Sequence, residues 1–277
     1  MSLSPADGAA YWLRWQVLVC GALIALPTVA AAALLPRLRS SAPPLRAADL
    51  WVPCWARLHP GWLLAYRAVA LAAAVALLAR LVVARGITVF YFYTQWTFLL
   101  VTIYFAVMCA KLLPANEYFS FEETGVARTV FIDILCLLQT SAGATMLTDV
   151  TYWGLLVPFF YRDKFGLALF TDGMHSLNAV FLLIDTLLNN MPFPWYRMSF
   201  FVFWSCAYVT FQWVLHACGG VSWWPYPFLD LSSSGAPLWY LGMAIAHVPC
   251  FFLYWLIVKA KHTYFQRMFP HAYVRAT

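Results

Sequence analysis

A threonine and a glutamine interrupt a run of aromatic residues in the stretch FYFYTQWTF, at positions 90–98. A hydroxyl inside a membrane helix usually bonds to the backbone carbonyl one turn earlier, and Thr94 taken alone predicts no more than that. A threonine becomes a nucleophile only when an adjacent base accepts its proton. The chemistry at Thr94 therefore depends on whether another segment of the chain supplies such a base.

A histidine near the start of a later apolar segment is the candidate base. His175 lies in TDGMHSLNAVFLLID, where Thr171 or Asp172 is suited to capping a helix. With Asp172 as the N-cap, His175 falls in the first turn, where the positive helix end favours the neutral imidazole that a general base requires. Asp172 and Asn178 lie one turn before and after His175, so either side chain is placed to fix its tautomer. A structural histidine that bonds across helices explains His175 equally well.

The other ionisable residues within apolar segments favour structural roles or have no assigned role. We expect Arg67 and Arg80 to reach the interface or to pair with buried acids, which would hold helices together. The acids in question are Asp133, Asp149 and Asp185. His216 closes the sixth segment and His247 lies within the seventh. No HxxxH, HExxH or CxxC spacing is present, which argues against a metal site, and a threonine–histidine pair needs no cofactor.

The composition predicts an all-α integral membrane protein. Of 277 residues, 64% are hydrophobic and only 10% are charged, whereas soluble domains carry about 25% charged residues. The formal net charge of +6 comes from basic residues in loops and at the C-terminus. Such residues set membrane topology, so the expected partners are membrane lipids and not nucleic acid.

Seven apolar segments predict a bundle of about seven transmembrane helices. They cover roughly residues 15–35, 62–84, 88–113, 126–160, 172–190, 195–217 and 237–260. The fourth is too long for one perpendicular span, and we expect it to tilt, bend or project. The first also has the small residues that follow the apolar core of a signal peptide, although its length favours a retained helix.

The chain divides into three regions on this pattern. Residues 1–61 hold the N-terminal helix, which is a possible signal-anchor, and a basic loop; residues 62–260 form the multi-pass core; residues 261–277 form a basic C-terminal tail. With seven spans, a cytoplasmic C-terminus also puts the basic loop in the cytoplasm, as the positive-inside rule prefers. The expected location is the endoplasmic reticulum or the plasma membrane.

Three stretches together resemble a known family. They are YFYTQWTFLLVTIYF at 91–105, DGMHSLNAVFLLID at 172–185 and YVTFQWVLHACGGVSWWPYPFLDL at 208–231. These resemble the androgen-induced protein and androgen-dependent tissue-factor-pathway-inhibitor regulator family, and in outline the insect rolling-stone proteins. The resemblance covers about residues 62–260 and implies a six-helix core to which this chain adds one N-terminal helix.

The resemblance implies a multi-pass hydrolase of fatty acid esters of hydroxy fatty acids. The family nucleophile falls on Thr94 and its histidine on His175, while His216 and Asp230 fall on family positions to which we assign no role. In the implied reaction His175 takes the Thr94 proton, an acyl-threonine forms, and water activated by His175 then releases the fatty acid. The chain departs from the family in having Gln95 directly after the threonine and an acidic loop at 114–125.

Four further residues are supporting candidates for this site, and other classes of function remain open. The supporting residues are Asp172, Asn178, Gln95 and His216. Asn178 is the expected oxyanion donor, because Gln95 should point to another side of its helix than Thr94. The same scaffold would also suit a non-enzymatic receptor or adhesion protein. A transporter is disfavoured because the sequence has no paired broken helices.

Overall fold

The computed structural model describes residues 5–40, 52–112, 125–160 and 169–274, with side chains described for residues 8, 10–38, 52–110, 137–160 and 173–274. These residues form nine α-helices. They are α1 (Pro5–Trp12), α2 (Trp15–Ser40), α3 (Pro60–Arg85), α4 (Tyr93–Leu112), α5 (Gly125–Thr151), α6 (Val157–Phe159), α7 (Leu169–Leu188), α8 (Met198–Ala217) and α9 (Ala236–Met268). A π-helical turn at Tyr152–Leu156 joins α5 to α6, and short 3₁₀ turns occur at Ile87–Tyr91, Trp195–Arg197 and Pro227–Leu229.

Among the described residues, five helices are long and apolar enough to cross a membrane, which makes the chain an all-α bundle of the integral, multi-pass membrane class. These stretches are Trp15–Leu38, Pro60–Arg85, Tyr93–Ala110, Trp195–Ala217 and Ala236–Met268. Helices α5 and α7 occupy the fourth and fifth predicted segments but are not among the five. The number of seven spans therefore stays a prediction.

The third predicted segment is not one continuous helix. Residues 87–91 form a 3₁₀ turn, Phe92 is extended, and α4 begins only at Tyr93. Helix α8 supplies the physical reason, because Tyr208 Oη and Gln212 Nε2 both donate hydrogen bonds to the carbonyl of Tyr91, at 2.8 and 2.6 Å. The break places Thr94 in the first turn of α4, whereas the sequence suggested the interior of a longer helix.

The fourth predicted segment changes its helical type near one end. The regular helix α5 stops at Thr151, and the π-helical turn Tyr152–Leu156 follows directly. Single π turns within helices frequently lie at functional sites, because the extra residue redirects the side chains around it. This turn brings Tyr152 against α7, as described below.

A group of buried polar residues, here called the polar anchor, joins α3, α4, α7 and α9. Arg67 Nε lies 2.7 Å from Asp185 Oδ1, and both side chains are 0% exposed. Tyr104 Oη and Asn189 Nδ2 donate to Asp185 Oδ2 at 2.6 and 2.8 Å. Lys261 Nζ, also buried, donates to the carbonyls of Thr186 and Asn189 at 2.9 Å each. The predicted pairing of an intramembrane acid with Arg67 is confirmed for Asp185.

Hydrogen bonds of Cys54 also connect the end of α7 to the segments that flank the bundle. The Cys54 N–H donates to the Leu188 carbonyl, and the Val274 N–H donates to the Cys54 carbonyl, both at 2.9 Å. Burial raises the pKa of the Cys54 thiol, which is therefore protonated and donates to the Leu187 carbonyl. Helix α9 continues to Met268, past the predicted end at residue 260, and Lys261 at the start of this extension donates to the two carbonyls.

The remaining intramembrane acids have different surroundings. The side chain of Asp133 lies outside the described residues. Asp149 Oδ1 is buried and has no hydrogen-bond partner in the described part of the chain. Helix α2, the first apolar segment, packs against α8 and α9 and buries Val17 and Cys20.

Candidate active site

A cavity of about 80 Å³ lies near the end of the bundle at which α4 and α7 begin, away from the polar anchor. Its walls come from α4, α5, α7, α8, α9 and the segment 226–229. The lining includes Thr94, Thr148, His175, Tyr226, Met243 and His247. Because about 10–15 Å³ of such space is enough for one water molecule, this cavity has room for several waters or for the reacting end of a substrate, and a long acyl chain would extend beyond it.

Thr94 is buried and its hydroxyl is not used for the usual helical bond. Thr102 and Thr148 each donate to the carbonyl four residues earlier, at 2.8 and 2.6 Å. For Thr94 that carbonyl belongs to Phe90, and it accepts instead from Trp96 Nε1 at 2.8 Å. Among the described residues no hydrogen bond involves the Thr94 hydroxyl. Thr94 therefore presents a hydroxyl at the cavity wall that is not bonded to its own helix.

The position of Thr94 in the first turn of α4 has an electrostatic consequence. The start of a helix carries a partial positive charge, because its first N–H groups lack partners within the helix. One of them, the Tyr93 N–H, donates to Tyr226 Oη at 3.0 Å. Negative charge that forms on or next to the Thr94 oxygen is stabilised at such a helix end.

His175 is buried on the opposite helix, α7, and its ring is stacked. The imidazole lies 3.6 Å from the ring centroid of Tyr152 with an interplanar angle of 8°, so the π turn after α5 fixes the plane of the histidine. His175 Nδ1 is buried and has no hydrogen-bond partner among the described residues. The ring therefore has a defined plane, while its tautomer is not set by a neighbouring side chain.

The predicted start of α7 is wrong, and the predicted position of His175 in the first turn is therefore wrong as well. Helix α7 begins at Leu169, before the expected N-cap Asp172, so His175 lies in the second turn and not in the first. The helix dipole acts mainly within the first turn and does not account for a neutral imidazole here. The ring is instead buried against Tyr152.

Of the supporting residues inferred from the sequence, the three whose side chains are described do not line the cavity. The side chain of Asp172 lies outside the described residues. Asn178 is fully buried, but neither of its amide atoms has a hydrogen-bond partner in the described ranges, so it does not fix the His175 tautomer. Gln95 is buried away from the cavity lining, as expected for the residue next to Thr94. His216 stacks on Trp224, with ring centroids 4.3 Å apart, and does not line the cavity.

One cavity residue was not assigned a role from the sequence. His247 of α9 lines the cavity together with Thr94 and His175. The sequence signal was a histidine in the interior of an apolar helix, two residues before Pro249. That signal did not give His247 a role, because only tertiary packing shows that His247, and not His216, lines the cavity.

The arrangement combines a hydroxyl at a positive helix end with two imidazoles in a largely apolar cavity. These are the components of nucleophilic acyl transfer. Within the described residues no group of histidine, cysteine or acidic side chains is placed to hold a metal ion. Comparisons of this chain with protein-family models, with curated proteins and with solved structures found no match.

Proposed function

We propose that the protein is an intramembrane threonine hydrolase that cleaves lipid esters, such as fatty acid esters of hydroxy fatty acids, without a cofactor. The observation that carries the proposal is that Thr94 and His175, which lie on different helices, line the same cavity. The free hydroxyl of Thr94 and the helix end beneath it add to this support. The substrate class comes from the sequence resemblance described above.

The proposed mechanism has two half-reactions. His175 accepts the Thr94 proton while the threonine oxygen attacks the ester carbonyl, and the negative charge of the tetrahedral intermediate forms beside the start of α4. The intermediate collapses to an acyl-threonine, and the departing alkoxide takes the proton from His175. Water then attacks the acyl-threonine, which releases the fatty acid and restores the Thr94 hydroxyl.

The apolar walls suit the substrate better than they suit a polar metabolite. Leu147, Leu156, Val209 and Leu229 line the cavity between its few polar groups. The cavity would take the reacting ester, and longer acyl chains would pass between helices towards the surrounding lipid. A membrane-embedded ester reaches such a site without first entering water.

The proposed topology has seven spans and a cytoplasmic C-terminus, in the endoplasmic reticulum or the plasma membrane. The cavity then lies in the half of the bundle that faces away from the cytoplasm. Cys218, which is exposed just after α8, marks that side. In sealed microsomes an impermeant maleimide should label Cys218 only after detergent opens the vesicles, whereas His271→Cys near the C-terminus should react at once. Labelling of Cys218 in intact vesicles would contradict this topology.

The function is tested by labelling the purified protein in detergent with a fluorophosphonate probe and then measuring hydrolysis of a branched fatty acid ester. We expect wild type and Thr94→Ser to be labelled, and Thr94→Ala and His175→Ala to lose both labelling and turnover. Loss of a general base typically lowers the rate by about 10²–10⁴-fold. Thr102→Ala is the matched control, since its hydroxyl is bonded two turns further along the same helix.

A folded wild-type protein that neither reacts with the probe nor hydrolyses esters would contradict the proposal. That result would favour the receptor or adhesion class, with the cavity serving at most to bind lipid without chemistry. Retention of full turnover in Thr94→Ala would also exclude Thr94 as the nucleophile, whatever reaction the protein performs.

A further inference from the structure

His247 is held in the cavity wall with a defined tautomer. Its Nδ1 lies 2.7 Å from the Met243 carbonyl oxygen, one turn earlier in α9. A carbonyl oxygen only accepts hydrogen bonds, so Nδ1 carries the proton and Nε2 carries the lone pair. In its neutral form His247 can therefore accept a proton through Nε2 without any rearrangement.

The orientation of the His247 ring is fixed from a second side. The ring stacks on Phe201 of α8, with centroids 4.6 Å apart and an interplanar angle of 29°. Phe201 is itself fully buried against Gly143 of α5, where a Cβ atom would lie only 2.7 Å from the phenyl ring. The imidazole thus has a fixed plane and a fixed proton, which are the properties of a positioned base.

His247 and His175 reach the cavity from different sides of α5. Helix α5 packs against both α7 and α9, and its residues Leu147, Thr148 and Thr151 line the cavity between them. The cavity therefore offers two proton acceptors on separate walls, and the proposed mechanism has two half-reactions that each need one. His175, whose Nδ1 has no partner among the described residues, and His247, whose Nδ1 is bonded, are not equivalent.

We propose that His247 is a second catalytic base, which activates the water that hydrolyses the acyl-Thr94 intermediate. The inference rests on the proposed function and divides its two half-reactions between two histidines. His247 Nε2 removes a proton from water as the water oxygen bonds to the acyl carbonyl carbon. The bond from that carbon to Thr94 Oγ1 then breaks, the same proton passes from His247 to Thr94 Oγ1, and the fatty acid leaves.

The test separates acylation from deacylation. The purified full chain in detergent is mixed rapidly with 4-nitrophenyl octanoate, an ester whose leaving group absorbs when acylation releases it. The critical variant is His247→Asn, because the asparagine amide nitrogen takes the place of Nδ1 and still donates to the Met243 carbonyl, while the basic Nε2 is lost. His247→Gln is a second variant, and His216→Asn is the control for a histidine outside the cavity.

We expect His247→Asn to keep a rapid burst of nitrophenolate while its steady-state turnover falls by about 10²–10⁴-fold. Intact-protein mass spectrometry should then show an octanoyl adduct that is lost in Thr94→Ala. His175→Ala should show no burst, and His216→Asn should resemble wild type. Only variants that elute from size-exclusion chromatography as monodisperse, folded protein are compared. If His247→Asn is not folded, His247→Gln is used in its place.

Two results would overturn this inference while leaving the proposed function intact. One is a folded His247 variant with wild-type turnover, and the other is a His247 variant that loses the burst as His175→Ala does, because His247 would then act in acylation. Absence of burst, adduct and turnover in wild type would instead contradict the proposed function itself, and the role of His247 with it.

Discussion

Replacing Arg67 by methionine would remove the ion-pair partner of a carboxylate that is fully buried between helices. Arg67 Nε and Asp185 Oδ1 are 2.7 Å apart, and neither side chain is exposed. Methionine fills much of the space of the arginine stem but carries no charge. The perturbation therefore acts mainly on the electrostatic environment of Asp185.

The expected loss follows from the remaining partners of the carboxylate. Removal of one member of a buried ion pair costs about 3–5 kcal/mol in soluble proteins. Asp185 would keep its hydrogen bonds from Tyr104 Oη and Asn189 Nδ2, at 2.6 and 2.8 Å, so we expect the lower figure, about 3 kcal/mol. This corresponds to about a hundredfold fall in the folded-to-unfolded ratio.

A double variant tests whether the uncompensated charge is the cause. Arg67→Met with Asp185→Asn removes both charges, and the asparagine oxygen still accepts from Tyr104. We expect this variant to regain about 2 kcal/mol relative to Arg67→Met, and to stay about 1 kcal/mol below wild type because the new amide N–H groups are poorly paired. Arg85→Met, at the end of the same helix, should cost less than about 1 kcal/mol.

The assay is equilibrium unfolding in mixed dodecyl maltoside and dodecyl sulfate micelles, followed by the fluorescence of the 14 tryptophans. A loss below about 1 kcal/mol for Arg67→Met would refute the argument that the pair is a buried, coupled unit. A double variant no more stable than Arg67→Met would show that packing around the arginine stem, and not charge, determines the loss.

Three further substitutions have expected outcomes in the same unfolding assay. Gly143→Ala should destabilise by about 1–3 kcal/mol through its contact with Phe201, and Phe201→Leu should restore part of the loss; additive losses would exclude that contact as the cause. Lys261→Met should destabilise the protein by about 1–3 kcal/mol, because the carbonyls at the end of α7 lose their hydrogen-bond donor. Lys259→Met is the control and should cost less. Equal losses in the two variants would contradict this role of Lys261. Asn178→Leu should keep or raise stability, because an apolar side chain replaces a buried amide that has no partner among the described residues. In the ester assay its turnover should be unchanged. Loss of turnover in a stable variant would show that Asn178 takes part in catalysis.

Much of the helical organisation follows from the sequence alone. Long apolar segments punctuated by prolines predict membrane helices wherever they occur, because a backbone in lipid must satisfy its own hydrogen bonds. The intramembrane charges predicted a buried pair for the same reason, since an isolated charge in that environment is costly. The sequence also identified Thr94 and His175 as the candidate catalytic residues.

Other features depended on contacts between distant segments. Thr94 stands at a helix start because Tyr208 and Gln212 of α8 bind the Tyr91 carbonyl, a contact with no local signal. Because α7 begins at Leu169, His175 lies beyond the first turn, where the helix dipole has little effect. Its ring is instead stacked on Tyr152.

The contrast between His216 and His247 shows where sequence reasoning ends. His216 closes its apolar helix and His247 lies inside its own, but neither composition nor spacing shows which of the two lines a cavity. A helix has several faces, and which face meets a cavity is decided by the neighbouring helices, here α5 and α8 around His247. The sequence determined that these side chains would lie in helices of a membrane bundle, and the tertiary structure decided which of them share a space with Thr94.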